Sequence, residues 1–237
     1  MHTFFVLLLL SLSVTGCATS VIPKPVSRLG PGVSQGTGFL IRSDGLVLTA
    51  YHVVEEGRII KVRCQGYDLV PAKLGEHSRT MDVAVLHTGL TGTPYLAAAA
   101  PRAVRPGDPV FSMGSPTAGY LGTDPKYFSG AISSLTGGGR EATQLLISVP
   151  TQPRGSGSPL LTMDGAVVGI VTAGTREEDF MRDTGALPQN LNWAVKMEYA
   201  TPLYELPSVP VSHESTRAPR EVAEQAAQAV CIVVAGP

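Results

Sequence analysis

What most constrains this chain is a rhythm. Short apolar runs recur at roughly ten-residue spacing, each ended by a turn signal, first in GTGFLIRSDGLVLTAYHVV, RIIKVRC, YDLVPAKLG and DVAVLHTG. In the first of these, two apolar runs flank Ser43-Asp44-Gly45, a hairpin signature, because Asp and Gly accept the backbone angles of a tight reversal. After a connector, AAAAPRAVRPGDP (97–109), a second group follows: PVFSMGSP, YFSGAISSLTG, QLLISVP, SPLLTMDGAVVGIVTAG and LNWAVKM. Asp164-Gly165 repeats the hairpin logic there. Helix-period stretches are scarce before residue 196. Two halves of six-strand scale joined by a linker predict an all-β chain of paired antiparallel barrels, the first over about 34–96 and the second over about 107–200. The 26 glycines and 19 prolines are scattered without period, which suits turns and excludes collagen and solenoids. A chain of 237 residues with 43% hydrophobic content is long enough for one sizeable domain or two small lobes sharing a core.

Three segments fall outside that rhythm. Residues 175–190, TREEDFMRDTGALPQN, are polar and aperiodic and read as a mobile loop. Residues 201–237 form a C-terminal tail that is expected to be partly helical. Pro219 suits a first helical position, and Val222/Ala223, Ala226/Ala227 and Val230/Cys231 recur every four residues as one stripe for docking on the body. At the other end, Phe4–Val14 is an eleven-residue apolar run, too short to span a bilayer and suited to the core of an export signal (1–16). VTGC, ending at Cys17, resembles the bacterial lipoprotein box, although no Lys or Arg precedes the apolar run; an ordinary cleaved signal with a chance cysteine is the other reading. The box implies lipidation at Cys17, a membrane anchor facing the periplasm, and a Pro/Ser/Gly-rich tether over 17–33. Ala18 after the cysteine favours the outer membrane in a Gram-negative cell. Cys64 and Cys231 remain. Export permits a bridge between them, but two separate thiols is the preferred reading.

The net charge is −1 with no long charged run, so nucleic-acid binding by a charged face is unsupported. No His-Glu-x-x-His spacing and no phosphate loop occurs, so no metal or cofactor is expected. Acyl transfer by serine needs an exposed hydroxyl, a neutral imidazole to take its proton, and a carboxylate to hold that imidazole. His52 follows a strand in LVLTAYHVV, Asp82 opens one in TMDVAVLHT, and Ser156 lies in RGSGSP. Each alone reads as an ordinary core, turn or loop residue. His77 and His87 flank polar or turn residues and are expected to be exposed; His213 sits in a Pro/Ser-rich segment. Ser158, the rival nucleophile, enters a strand and reads as filler.

Taken together, GTGFLIRSDGLVLTAYHVV, MDVAVLHT, GDPVFSMGSP, FSGAISSL, GSGSPLLTMDGAVVGIVTAG and LNWAVKMEY resemble the successive blocks of trypsin-like serine proteases, the Deg/HtrA branch of bacterial envelope proteases in particular. The resemblance covers roughly residues 34–200, and its order His, Asp, Ser holds here with gaps of 30 and 74 positions. It implies a chymotrypsin-like pair of six-stranded barrels with the site in the cleft between them. It also implies catalysis by His52, Asp82 and Ser156, an oxyanion hole over Arg154, Gly155 and Ser156, and protein or peptide substrates. Thr172, Ala173 and Gly174 match the strand segment that pairs with substrate backbone. Pro150, six residues before Ser156, stands at the floor of the primary pocket, where the trypsins carry Asp; a small or medium apolar side chain is expected there, with Asn192 and Trp193 at the back wall. Two departures stand out. Arg154 occupies a position where the family carries glycine, which leaves open a catalytically weak peptide-binding module. Only about 37 residues follow position 200, too few for the branch's peptide-binding domains.

Overall fold

The computed structural model describes residues 30, 32–115, 122–138, 141–172, 175–186, 190–204, 208–211 and 217–237. The signal, Cys17, the tether up to residue 29, Ala173, Gly174 and His213 lie outside the described residues.

The predicted first hairpin forms from β1 (Ser34–Leu40) and β2 (Leu46–Thr49), registered Gly38 opposite Thr49. Its turn ends at Gly45, whose φ of +79° is a conformation that glycine adopts without penalty. One 3₁₀ turn, Tyr51–Val53, follows, then β3 (Ile59–Cys64), β4 (Val70–Ser78) and β5 (Val83–His87). The connector contains the two-residue β6 (Ala98–Ala99). The second half supplies β7 (Pro109–Gly114), β8 (Lys126–Ser134), β9 (Gln144–Ile147), β10 (Pro159–Thr162) and β11 (Val167–Thr172). After these come α1 (Thr175–Thr184), β12 (Asn192–Lys196), α2 (Met197–Tyr204), β13 (Ser208–Val209), α3 (Pro219–Ala227) and β14 (Val230–Gly236).

These strands make two closed antiparallel barrels of six. The second runs β10-β7-β8-β9-β12-β11 and closes through β10–β11, with β6 and β13 added as short parallel extensions. The first runs β1-β14-β3-β4-β5-β2. Its sixth strand therefore comes from the C-terminal tail and not from residues 34–96. In its strands Phe39, Leu48, Val62, Val85 and Leu86 are fully buried; Val110, Leu145, Ile147 and Leu160 are fully buried or nearly so in the second barrel. Each such side chain contributes roughly 1.5–3 kcal/mol by leaving water.

Three expectations need correction. The stripe through Val230/Cys231 is not helical. Helix α3 begins at Pro219 as expected and buries Val222 and Ala226, but it ends at Ala227, and the β-branched run Ile232-Val233-Val234 continues as a strand. Cys64 and Cys231 are not separate thiols. Register places them directly opposite across β3 and β14, with Cα atoms 3.9 Å apart, and they are disulfide-bonded. Residues 175–184 of the expected loop form α1, and Gly185, at φ +71°, follows its end.

Candidate active site

His52 leaves barrel one on the 3₁₀ turn that follows β2, and Asp82 occupies the turn before β5. Asp82 has φ +53°, left-handed backbone that Asp tolerates better than most residues. Its carboxylate grips His52 twice. Oδ1 accepts the His52 backbone N–H at 2.9 Å, and Oδ2 lies 2.7 Å from Nδ1. A carboxylate at Nδ1 accepts, so in the neutral imidazole Nδ1 carries the hydrogen and Nε2 presents its lone pair. The Tyr51 N–H also donates to the Asp82 carbonyl at 3.2 Å, tying the two turns together.

Ser156 belongs to the loop between β9 and β10 and is only 4% exposed. The loop is seated against the strand ends from which His52 emerges. Thr37 of β1 donates its N–H to the Ser156 carbonyl at 2.9 Å. A Cβ at Gly36 would lie 2.6 Å from the Val53 side chain and 3.0 Å from that same carbonyl. Gly157 has φ +87°, and a Cβ there would lie 2.0 Å from the Thr37 carbonyl oxygen, 2.5 Å from Thr49 Oγ1 and 2.9 Å from the Ala50 nitrogen. Only glycine permits that approach. The structure thus joins His52 to Asp82 directly and packs the Ser156 loop onto the residues next to His52.

Arg154 has φ +70°, and the Gly155 N–H donates to the Gln152 carbonyl at 2.8 Å. Proline at the second position, a positive φ at the third and an i to i+3 bond are the marks of a type II turn, which is why glycine suits position 154. Gly155 has committed its N–H to Gln152, so of the three expected oxyanion donors the candidates are those of Arg154 and Ser156. Ser158 is not filler: its buried hydroxyl donates to the Gly155 carbonyl at 2.7 Å.

Thr172, at the end of β11, lines a polar cavity of about 360 Å³ with His52, Glu55, Arg79, Asp82 and Gln144. Among the described residues, buried Thr172 Oγ1 and Gln144 Oε1 have no hydrogen-bond partner. Arg79 pairs with Glu55 and lies over Tyr51, whose ring stacks on His77 at 4.7 Å. His77 and His87 are exposed. Pro150, with Thr151, Gln152 and Gly155, lines a separate cavity of only about 10 Å³. Asn192 holds that segment rather than lining it, donating to the Val149 carbonyl at 2.9 Å and accepting from Thr151 at 2.6 Å; Trp193 is buried.

Two closed barrels carry the bonded His52–Asp82 pair and the Ser156 loop packed on the residues next to it, and residues 36–170 match the family described as "Trypsin-like peptidase domain". The chain belongs to the trypsin-like peptidases. Its relatives include serine endoproteases. A probable periplasmic serine endoprotease DegP-like of Marinomonas is 33% identical over 172 residues, 70% of this chain and 35% of that protein. The uncharacterized protein y4bJ of Sinorhizobium fredii is 32% identical over 76% of this chain and 28% of its own length. The chain therefore spans about a third of the curated relatives it matches. Among solved structures, the serine endoprotease from Yersinia pestis is similar with TM-score 0.59 and 25% identity, covering 76% of this chain and 64% of that one. The HtrA-type protease AlgW, solved with a decapeptide, shares the fold with TM-score 0.58 over 70% of this chain and 49% of its own.

Proposed function

We propose that this chain is a serine endopeptidase of the bacterial cell envelope, cleaving peptide bonds through His52, Asp82 and Ser156. The observation that carries the reading is the two-point grip of Asp82 on His52, together with a serine loop hydrogen-bonded to β1 and packed against the end of β2. Ser156 Oγ attacks the scissile carbonyl while His52 Nε2 takes its proton. The imidazolium, held by Asp82, returns that proton to the leaving amine, so the peptide C–N bond breaks and an acyl-enzyme remains. Water, deprotonated by the same nitrogen, then releases the acid and restores the hydroxyl. Backbone N–H groups of Ser156 and Arg154 stabilise the oxyanion, and Thr172 with Ala173 and Gly174 pairs with substrate backbone. The small space beside Pro150 favours a small apolar side chain before the cleaved bond. Export, supported by the periplasmic relatives, and lipidation at Cys17 complete the reading.

A fluorophosphonate probe tests it: the wild type takes up label, and Ser156→Ala does not. A second reading, a peptide-binding module of the same fold, is favoured by one observation, the left-handed backbone of Arg154 beside the nucleophile. Folded wild type that binds peptides but resists the probe establishes that alternative. Palmitate incorporation that vanishes in Cys17→Ser tests the anchor.

A further inference from the structure

We infer that two buried hydroxyls, Thr37 from barrel one and Ser158 from barrel two, are positioning residues that fix the backbone on which the oxyanion site is built. The inference rests on the proposed serine chemistry. Because a peptide unit is planar, holding its carbonyl also aims the N–H of the next residue. Three successive units of the loop are held this way. Thr37 Oγ1 donates to the Arg154 carbonyl at 3.3 Å, and the Gly155 N–H of that unit goes to Gln152. Ser158 Oγ donates to the Gly155 carbonyl at 2.7 Å, with its own N–H at 3.1 Å from the same oxygen. That unit carries the Ser156 N–H, so the Ser158 contact aims the donor in the opposite direction. The Thr37 N–H holds the Ser156 carbonyl at 2.9 Å, and the Gly157 N–H of that unit goes to Val171 at 2.8 Å.

Thr37 is built for this task. It is fully buried, and its hydroxyl is satisfied on both sides, donating to Arg154 and accepting the Ser115 N–H at 3.2 Å. Its carbonyl accepts Thr49 Oγ1 at 2.7 Å, which anchors it within the barrel-one wall. Valine keeps the shape of threonine and loses both bonds; alanine at 158 loses the hydroxyl that orients the Ser156 unit. Neither residue touches the reacting atoms, so the effect is on transition-state stabilisation and not on substrate capture.

The test uses the full chain with Thr37→Val, Thr37→Ser and Ser158→Ala, read by peptide hydrolysis, fluorophosphonate labelling and amide hydrogen exchange. Expected is a fall in kcat of about tenfold to a hundredfold for Thr37→Val and for Ser158→Ala, with KM within about twofold, since ångström-scale misplacement of reacting groups costs rates of this order. Thr37→Ser restores the rate. Exchange at residues 155–157 accelerates in the two damaging variants while β2 and β5 keep their protection. Should Thr37→Val fail to fold, Ser158→Ala carries the same two readouts. Unchanged exchange at 155–157, or a raised KM with intact kcat, overturns the inference. A wild type that fluorophosphonate leaves unlabelled overturns the serine chemistry instead, and the exchange data still decide whether the hydroxyls hold the loop.

Discussion

The two barrels are closed in different ways. Barrel two is woven from strands within one continuous stretch, Pro109–Lys196. Barrel one borrows β14 from a tail that follows all of barrel two, and a disulfide across 167 positions secures that strand to β3. The chemistry divides along the same line. Barrel one holds the His52–Asp82 pair, proposed to do the acid–base work, whose geometry is internal and doubly bonded. Barrel two holds Ser156, the proposed nucleophile, on a loop with an arginine in left-handed backbone, steadied from outside by barrel one. The half whose closure depends on distant chain carries the self-sufficient part of the site. The half built from one continuous stretch carries the part that needs help.

The sharpest way to break this comparison is to remove one catalytic partner from each side. Because triad members act as a unit, His52→Ala and Ser156→Ala are each expected to lower kcat by 10⁴-fold or more, on the order seen when any one member is lost. Near-wild-type turnover in either variant ends the assignment. Next is the disulfide: Cys64→Ala with Cys231→Ala is expected to cost about 3–5 kcal/mol in urea unfolding, given the long loop that the bond closes. An unchanged midpoint means that β14 holds without it. Arg154→Gly is expected to raise kcat up to about tenfold, since left-handed backbone costs a non-glycine residue about 1–2 kcal/mol. A lower rate assigns the arginine side chain a share in substrate binding. The smallest effect concerns Tyr204 of α2, whose hydroxyl donates to the Glu76 carbonyl of β4 at 3.0 Å and so links the barrels. Burial, with Glu76 adding to it, pushes this phenol up to about 12. The neutral form is the one that the fold favours, so its stabilisation is complete below pH 10 and is lost as pH rises toward 12. Thermal unfolding between those values should show the decline, and Tyr204→Phe should flatten it.

Much of this was legible in the sequence because the signals were local. Ser43-Asp44-Gly45 and Asp164-Gly165 specify hairpins through their own backbone preferences, and the strands beside them inherit register. His52, Asp82 and Ser156 stood out by joint order against the pattern of a known family. What failed was non-local. Val230 and Cys231 continue the spacing of the α3 stripe, and only the open edges of β1 and β3 decide that they become a strand. The bond between Cys64 and Cys231 follows from that register and is invisible in their separation. Ser158 looked inert because its role depends on which carbonyl the folded loop turns toward it. Thr37 lay in plain view in GTGF, but nothing in that stretch signals a contact with Arg154, 117 positions away.

One adjacency carries a consequence for how the molecule is assembled. A Cβ at Gly32 would lie 3.8 Å from Pro237, so β14 runs out where β1 is about to begin. A short linker joining those two points, with the backbone cut between β13 and α3, would place the borrowed strand first and leave every pairing unchanged. In the arrangement found here, the seam between β1 and β3 cannot be filled without residues 230–236, while the second barrel draws its six strands from residues 109–196.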